Sequence, residues 1–139
     1  MRKAGAKDYK LYSKKILKIC NNKPVSLEVF ADKYKENGRV TFTYFGDGAA
    51  NQGQVYETFN MAALWDLPVV FVIENNQYAM GTAMKRSTST PDIYHRGEAF
   101  GIPGEMVDGM DVLAVKAAGE KAVAHCRAGK GPYILEVKT

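Results

Sequence analysis

Residues 40–75 read VTFTYFGDGAANQGQVYETFNMAALWDLPVVFVIEN, and this stretch decides the fold. Its first six residues are β-branched or aromatic and predict a strand, which the Gly46-Asp47-Gly48 turn ends. Residues 51–65 predict a helix. The run PVVFVIE at residues 68–74 is almost continuously apolar, which is typical of a central parallel strand covered on both faces. A strand, a helix and a second strand in this order favour a parallel βαβ unit.

The flanking segments extend this alternation. Upstream, residues 26–38 predict a short amphipathic helix, and downstream, residues 79–105 predict a long loop with a single short helical turn. A short strand at residues 106–109 and a last strand at residues 133–139 enclose another helix, with Asp111 as its predicted N-cap. Its apolar face recurs at Val112, Val115, Gly119, Ala122 and Cys126. The order from residue 40 predicts an α/β fold with an open parallel sheet.

Composition excludes several classes of protein. The chain has 139 residues, enough for one domain or part of one, and 46% hydrophobic with 24% charged residues argues against disorder, collagen and coiled coils. No apolar run approaches the roughly 20 residues of a membrane helix, so no membrane partner is predicted. Two cysteines without a Cys-x-x-Cys motif or a secretory segment predict a reducing, intracellular compartment, and our prediction is a bacterial cytoplasmic protein. The basic start of the chain leaves the mitochondrial matrix as the alternative.

The net charge of +4 is unevenly distributed. Residues 1–24 contain eight Lys or Arg and one Asp, a net charge of +7, whereas the other 115 residues carry a net −3. We interpret residues 1–24 as a basic N-terminal arm, helical at residues 7–20. A solvated lysine-rich face is the plain interpretation, and an acidic partner or an anionic surface is the functional one. Few aromatic residues interleave with the lysines, which gives nucleic-acid binding little support.

Two polar clusters follow predicted strands, Gly46-Asp47-Gly48 and Asn75-Asn76-Gln77-Tyr78. Ligands of open α/β sheets bind outside the carboxyl ends of the strands. The Asp47 carboxylate, the Asn76 amide oxygen and the Tyr78 carbonyl would fill half of a magnesium shell, which needs about six oxygens. Phosphate oxygens and a water would complete it, and the amides of residues 48–50, opening the following helix, favour negative charge. Each cluster alone is a common turn, but the combination predicts a diphosphate carried on magnesium.

The combined motif resembles that of a known family. Gly46-Asp47-Gly48, 26 intervening residues and Asn75-Asn76 match the thiamin-diphosphate-binding motif. The wider string at residues 46–82, GDGAANQGQVYETFNMAALWDLPVVFVIENNQYAMGT, resembles the alpha subunits of the pyruvate dehydrogenase first component. The resemblance covers about residues 29–139 and implies that residues 25–139 form a partial thiamin-diphosphate-binding domain, the diphosphate side, with an incomplete sheet.

The resemblance also implies a set of site residues. Magnesium would be bound by Asp47, Asn76 and the carbonyl of Tyr78, and the cofactor diphosphate would lie against Gly48 and Ala49. Asp47 and Asn76 therefore count as cofactor-binding residues as well. In this family the glutamate that acts beside the aminopyrimidine ring comes from the beta subunit. No catalytic residue is therefore assigned to this chain.

The implied activity is the oxidative decarboxylation of pyruvate with transfer of the acetyl unit to a lipoyl carrier. Its implied partners are a beta subunit, in a heterotetramer, and a lipoyl-bearing acyltransferase. The forms Gly-Asp-Gly-Ala-Ala-Asn-Gln-Gly and Glu-Asn-Asn favour pyruvate over branched-chain substrates, with an acetoin or other 2-oxoacid dehydrogenase alpha subunit as the alternative. Family members are much longer and continue into a Tyr-Arg-His-Gly-His-Ser loop. This implies a truncated, inactive subunit, or a non-catalytic interaction protein.

Overall fold

The structure is a computed structural model that describes residues 25–139. The basic arm predicted at residues 1–24 lies outside that range. In chain order the elements are α1 (Val25–Lys35), β1 (Thr41–Gly46), a 3₁₀ turn (Ala49–Asn51), α2 (Gly53–Leu64), β2 (Val69–Asn75), β3 (Tyr78–Ala79), β4 (Thr82–Ala83), α3 (Met84–Ser87), a 3₁₀ helix (Ile93–Phe100), β5 (Gly104–Asp108), α4 (Val112–Arg127) and β6 (Tyr133–Lys138).

Four of the strands form one parallel sheet in the order β1-β2-β6-β5. In its register Gly46 pairs with Glu74, and Glu74 pairs with Val137. Because all four strands run in the same direction, their carboxyl ends lie at one edge of the sheet. The predicted α/β fold with a parallel sheet is confirmed.

The central strand β2 is buried on both faces, as its apolar sequence predicted. On one face Phe71 contacts Phe59 of α2, with ring centroids 4.8 Å apart, in a cluster that also includes Phe30 of α1. On the other face Val70 and Val72 pack in a cluster with residues of α4. Burial at roughly 25 cal/mol per Å² of apolar surface is the main force holding these layers together.

Helix α4 begins where the sequence predicted. The Asp111 side chain accepts hydrogen bonds from the backbone N–H groups of Leu113 and Ala114, at 2.9 and 3.1 Å, and caps the helix. Of its predicted apolar face, Ala122 is buried and Val112 is 76% exposed. The helix therefore packs on the sheet mainly through its C-terminal half.

Residues 79–105 contain more regular structure than the predicted loop with one helical turn. A β3–β4 hairpin turns at Met80 and Gly81, whose φ angles of 50° and 82° are both positive, as two-residue hairpin turns of type I′ require. After α3, the 3₁₀ helix is anchored by the fully buried Ile93. Elements this short leave no detectable hydrophobic period in a sequence. Across residues 25–139, none of the helices has the length and apolar character that a membrane crossing needs.

Candidate functional site

The two polar clusters meet at the carboxyl edge of the sheet. Asp47 directly follows β1, and Asn76 directly follows the neighbouring strand β2. The N–H of Asp47 donates a hydrogen bond of 3.1 Å to the carbonyl of Glu74, which continues the ladder one residue beyond β1. The structure therefore brings these two predicted site residues to the ends of adjacent strands.

Asp47 is the charged group of the site. Only 3% of its surface is exposed, and it is one of the few buried polar or charged residues among those that the structure describes. Burying an ion without a partner costs several kcal/mol, so buried charges in proteins are normally paired or bound to a metal. A cation bound at this edge could pair with the Asp47 carboxylate.

Gly48 connects the first cluster to the second. A Cβ atom on Gly48 would overlap the Cβ of Ala79, which belongs to strand β3 of the hairpin. Only glycine allows the backbone after Asp47 to lie this close to the segment after Asn76. Ala49, the other residue predicted to contact diphosphate, follows at the start of the 3₁₀ turn and is half-buried.

Two consecutive side-chain turns shape the second cluster. The Asn75 Oδ1 atom accepts a hydrogen bond of 3.0 Å from the N–H of Gln77, and the Asn76 Oδ1 atom accepts one of 3.0 Å from the N–H of Tyr78. Gln77 adopts a φ of 66° between them. An amide oxygen has two lone pairs, so Asn76 Oδ1 can still coordinate an ion. Tyr78 is 62% exposed and begins β3.

The predicted helix terminus after Gly48 is wrong. Residues 49–51 form a separate 3₁₀ turn, and α2 begins only at Gly53 because Gln52 is extended, with φ −75° and ψ 135°. A turn of three residues has almost no macrodipole, since that dipole is a sum over many aligned peptide units. Any anion at this position would be bound by individual N–H groups of residues 48–50.

Two residues at this edge, Glu136 and Arg96, were missed in the sequence, and Asn75 was named in the motif without a role of its own. Asn75 and Glu136 are fully buried, and Asn75 Nδ2 donates a hydrogen bond of 2.6 Å to Glu136 Oε1. Arg96 Nη1 donates a hydrogen bond of 2.9 Å to the carbonyl of Ala50. The available signal was Glu136 itself, because a charged residue inside the apolar strand YILEVKT needs buried partners.

The donors at this edge are oxygens. One carboxylate and neutral carbonyl-type oxygens suit a hard cation such as Mg²⁺, whereas zinc is usually bound by nitrogen and sulfur ligands. Among the residues described, no three His, Cys, Asp or Glu side chains gather as a metal cluster. A groove of about 450 Å³ opens beside Asn76 on the α4 face, between Tyr44 and Val115.

Comparison with known proteins agrees with the resemblance seen in the motifs. The sequence profile of the family described as "Dehydrogenase E1 component" matches residues 2–139 and therefore extends through the basic arm. The chain is 64% identical over 110 residues to the pyruvate dehydrogenase E1 component subunit alpha of Rhizobium meliloti, covering 79% of this chain and 32% of the relative. The corresponding subunit of Zymomonas mobilis is 60% identical over 110 residues, covering 79% and 31%.

A mitochondrial relative, the same subunit of Dictyostelium discoideum, is 58% identical over 110 residues, covering 79% of this chain and 29% of that protein. The chain thus spans about a third of the length of these relatives, which include bacterial and mitochondrial proteins.

Solved structures show the same fold. A protein from Mycobacterium smegmatis, described as a thiamin diphosphate-dependent enzyme, matches with a TM-score of 0.56 and 24% identity, over 83% of this chain and 21% of that one. Transketolase from Leishmania mexicana matches with a TM-score of 0.54 and 23% identity, over 72% and 15%. Together with the matching profile, these findings show that the chain belongs to the dehydrogenase E1 component family and is similar to pyruvate dehydrogenase alpha subunits over about a third of their length.

Proposed function

We propose that this chain is the diphosphate-anchoring part of a pyruvate dehydrogenase alpha subunit and that it binds thiamin diphosphate through Mg²⁺. The observation that carries the proposal is the buried Asp47, which directly follows β1 and lies at the same sheet edge as Asn76. A bound cation would neutralise this charge and remove the cost of burying it.

The residues present fit such a group. Asp47, Asn76 and the carbonyl of Tyr78 would hold the metal, with phosphate oxygens and water completing about six ligands. Gly48 and Ala49 would lie against the diphosphate. At Gly48 the backbone is so close to Ala79 that only glycine fits. The family to which the chain belongs supports this assignment, since its relatives are named as E1 alpha subunits.

When bound, thiamin diphosphate stabilises the carbanion that forms as a 2-oxoacid loses carbon dioxide. The role of this chain is to bind and orient the diphosphate end, and no described residue is assigned a proton transfer. We assign proton transfer to a beta subunit. The full reaction would oxidatively decarboxylate pyruvate and pass the acetyl unit to a lipoyl-bearing acyltransferase, in the bacterial cytoplasm or the mitochondrial matrix.

Calorimetry tests the proposal directly. Thiamin diphosphate is titrated into the full chain with Mg²⁺, and again with EDTA in place of the metal. We expect heat of binding only when Mg²⁺ is present, because the diphosphate is held through the ion. Equal affinity with and without the metal, or no binding in either case, would contradict it.

A further inference from the structure

The Glu136 carboxylate connects two separate segments of the site. It lies in the last strand, β6, is fully buried, and uses its two oxygens for different partners. Oε1 accepts a hydrogen bond of 2.6 Å from Asn75 Nδ2, and Oε2 accepts one of 3.0 Å from the N–H of Tyr94. Since Glu136 has no exposed surface, any effect on a ligand must pass through these partners.

The first partner, Asn75, links Glu136 to residues 76–78, which include the two predicted metal ligands after β2. Asn75 uses its amide nitrogen for Glu136 and its amide oxygen for the N–H of Gln77. With the nitrogen bound, the amide cannot rotate, and its oxygen is held toward Gln77. The turn fixed in this way carries Asn76 on one side and Tyr78 on the other, the two predicted ligands that follow β2.

The second partner, Tyr94, links Glu136 through the 3₁₀ helix to residues 48–50, where the diphosphate is proposed to lie. Tyr94 is in the first turn of the 3₁₀ helix, where its N–H has no partner within the helix and is bound by Glu136 instead. Arg96, two residues later, donates a hydrogen bond to the carbonyl of Ala50, directly after Gly48 and Ala49. One carboxylate therefore positions both segments that approach the proposed ligand.

We propose that Glu136 is a positioning residue, which sets the relative placement of the Asn76–Tyr78 turn and the Gly48–Ala50 segment. The inference rests on the proposed function for its ligand, whereas the hydrogen bonds of Glu136 are made entirely within the chain. Residues that orient metal ligands from behind typically affect metal affinity by about 10–100-fold. We expect an effect in that range from Glu136.

Substitution by glutamine isolates the connection, because Glu136→Gln changes one oxygen to NH₂ at constant shape. Two N–H donors face the side chain, so the new NH₂ must face a donor. If the Asn75 amide rotates so that its oxygen accepts from the new NH₂, the Asn75 NH₂ group then faces the N–H of Gln77, and two donors again face each other. The double variant Asn75→Asp/Glu136→Gln removes the conflict. Its new amide can donate to the new carboxylate and accept from the N–H of Tyr94, while that carboxylate still accepts from the N–H of Gln77.

The first measurement is site-resolved amide hydrogen exchange on the full chain without ligand. We expect exchange in Glu136→Gln to rise by about tenfold or more at Gln77 or at Tyr94, on the side that the new NH₂ faces, which is the loss of roughly one hydrogen bond, and to return to the wild-type rate in the double variant. Val70→Ala, buried on the opposite face of β2, is the control for general destabilisation. Unchanged exchange, or no rescue, would overturn the inference.

A third variant keeps the test decisive if Glu136→Gln does not fold. Asn75→Ala cuts only the first connection, so exchange should rise at Gln77 and not at Tyr94. An equal rise at both amides would show that the two connections are not separate and would also overturn the inference.

The second measurement is the affinity for thiamin diphosphate with Mg²⁺. We expect Glu136→Gln to lose about tenfold or more, the double variant to recover, and Val70→Ala to match wild type. If the wild-type chain binds no cofactor, the proposed function fails, while the exchange data still decide the connection. If wild type binds and Glu136→Gln binds equally well, the positioning role fails and the proposed function stands.

Discussion

Gly48 lies so close to Ala79 that a methyl group on residue 48 would overlap the Ala79 side chain. The chain after Asp47 and the hairpin after Asn76 are therefore in direct contact through one missing side chain. The contact makes glycine a requirement of the site geometry, although its φ of −65° is one that any residue could adopt.

Gly48→Ala should accordingly separate the two segments. We expect the affinity for thiamin diphosphate with Mg²⁺ to fall by about tenfold or more, because small misplacements of binding groups are costly. Gly53→Ala is the matched control, since a Cβ there meets nothing within 4 Å and Gly53 lies in the first turn of α2. Calorimetry on both variants gives the comparison, and an equal loss in both would contradict the prediction.

Compared with the wild type, Asp47→Asn should be more stable without the metal and should gain less stability when the metal and cofactor are added. Without Mg²⁺ we expect a higher melting temperature than in the wild type, because the variant replaces a buried carboxylate by a neutral amide. With Mg²⁺ and thiamin diphosphate, the wild type should gain stability through binding and the variant should gain little. The measurement is a thermal melt in both conditions.

The control for Asp47→Asn is Asp108→Asn, at the carboxyl end of β5. The Asp108 side chain accepts a hydrogen bond from the N–H of Met110, which asparagine can also accept. It should follow the wild type in both conditions. A metal-dependent gain that survives in Asp47→Asn would exclude the carboxylate as a ligand.

The parallel sheet and the meeting of the two clusters at one edge could be predicted from the sequence. The apolar residues of β2 require cover on both faces, which only an interior strand receives. Given consecutive parallel strands, Asp47 and Asn76 must reach the same edge. This reasoning depends on local patterns and on general rules of chain connection, so it needed no knowledge of distant contacts.

Glu136 and the 3₁₀ turn could not be predicted in the same way. The partners of Glu136 lie 61 and 42 residues away along the chain, and nothing local to YILEVKT indicates them. The turn at residues 49–51 depends on the extended Gln52, a residue whose intrinsic preferences allow a helix. Tertiary contacts decide both features.

Asp111 should contribute to stability without contributing to the site. Asp111→Ala removes the acceptor for the N–H groups of Leu113 and Ala114, and we expect a loss of about 1 kcal/mol in the free energy of unfolding. Asp111→Ser, which can still cap α4, should lose less. Denaturant unfolding measures stability and calorimetry measures cofactor affinity, which should be unchanged. A fall in affinity would place Asp111 in the site.

Cys126 should be an unreactive thiol in the folded chain. Burial raises its pKa from 9.0 to about 11, so little thiolate is present at neutral pH. In a Cys20→Ser background, a thiol reagent should modify Cys126 only as fast as the chain unfolds.

Because the pKa of the Cys126 thiol is higher in the folded state, the thiol's contribution to stability is complete below pH 9.0 and is lost as the pH rises toward about 11. We therefore expect the free energy of unfolding to fall more steeply over that pH range in Cys20→Ser than in the double variant Cys20→Ser/Cys126→Ala. Parallel curves of unfolding free energy against pH would contradict the raised pKa.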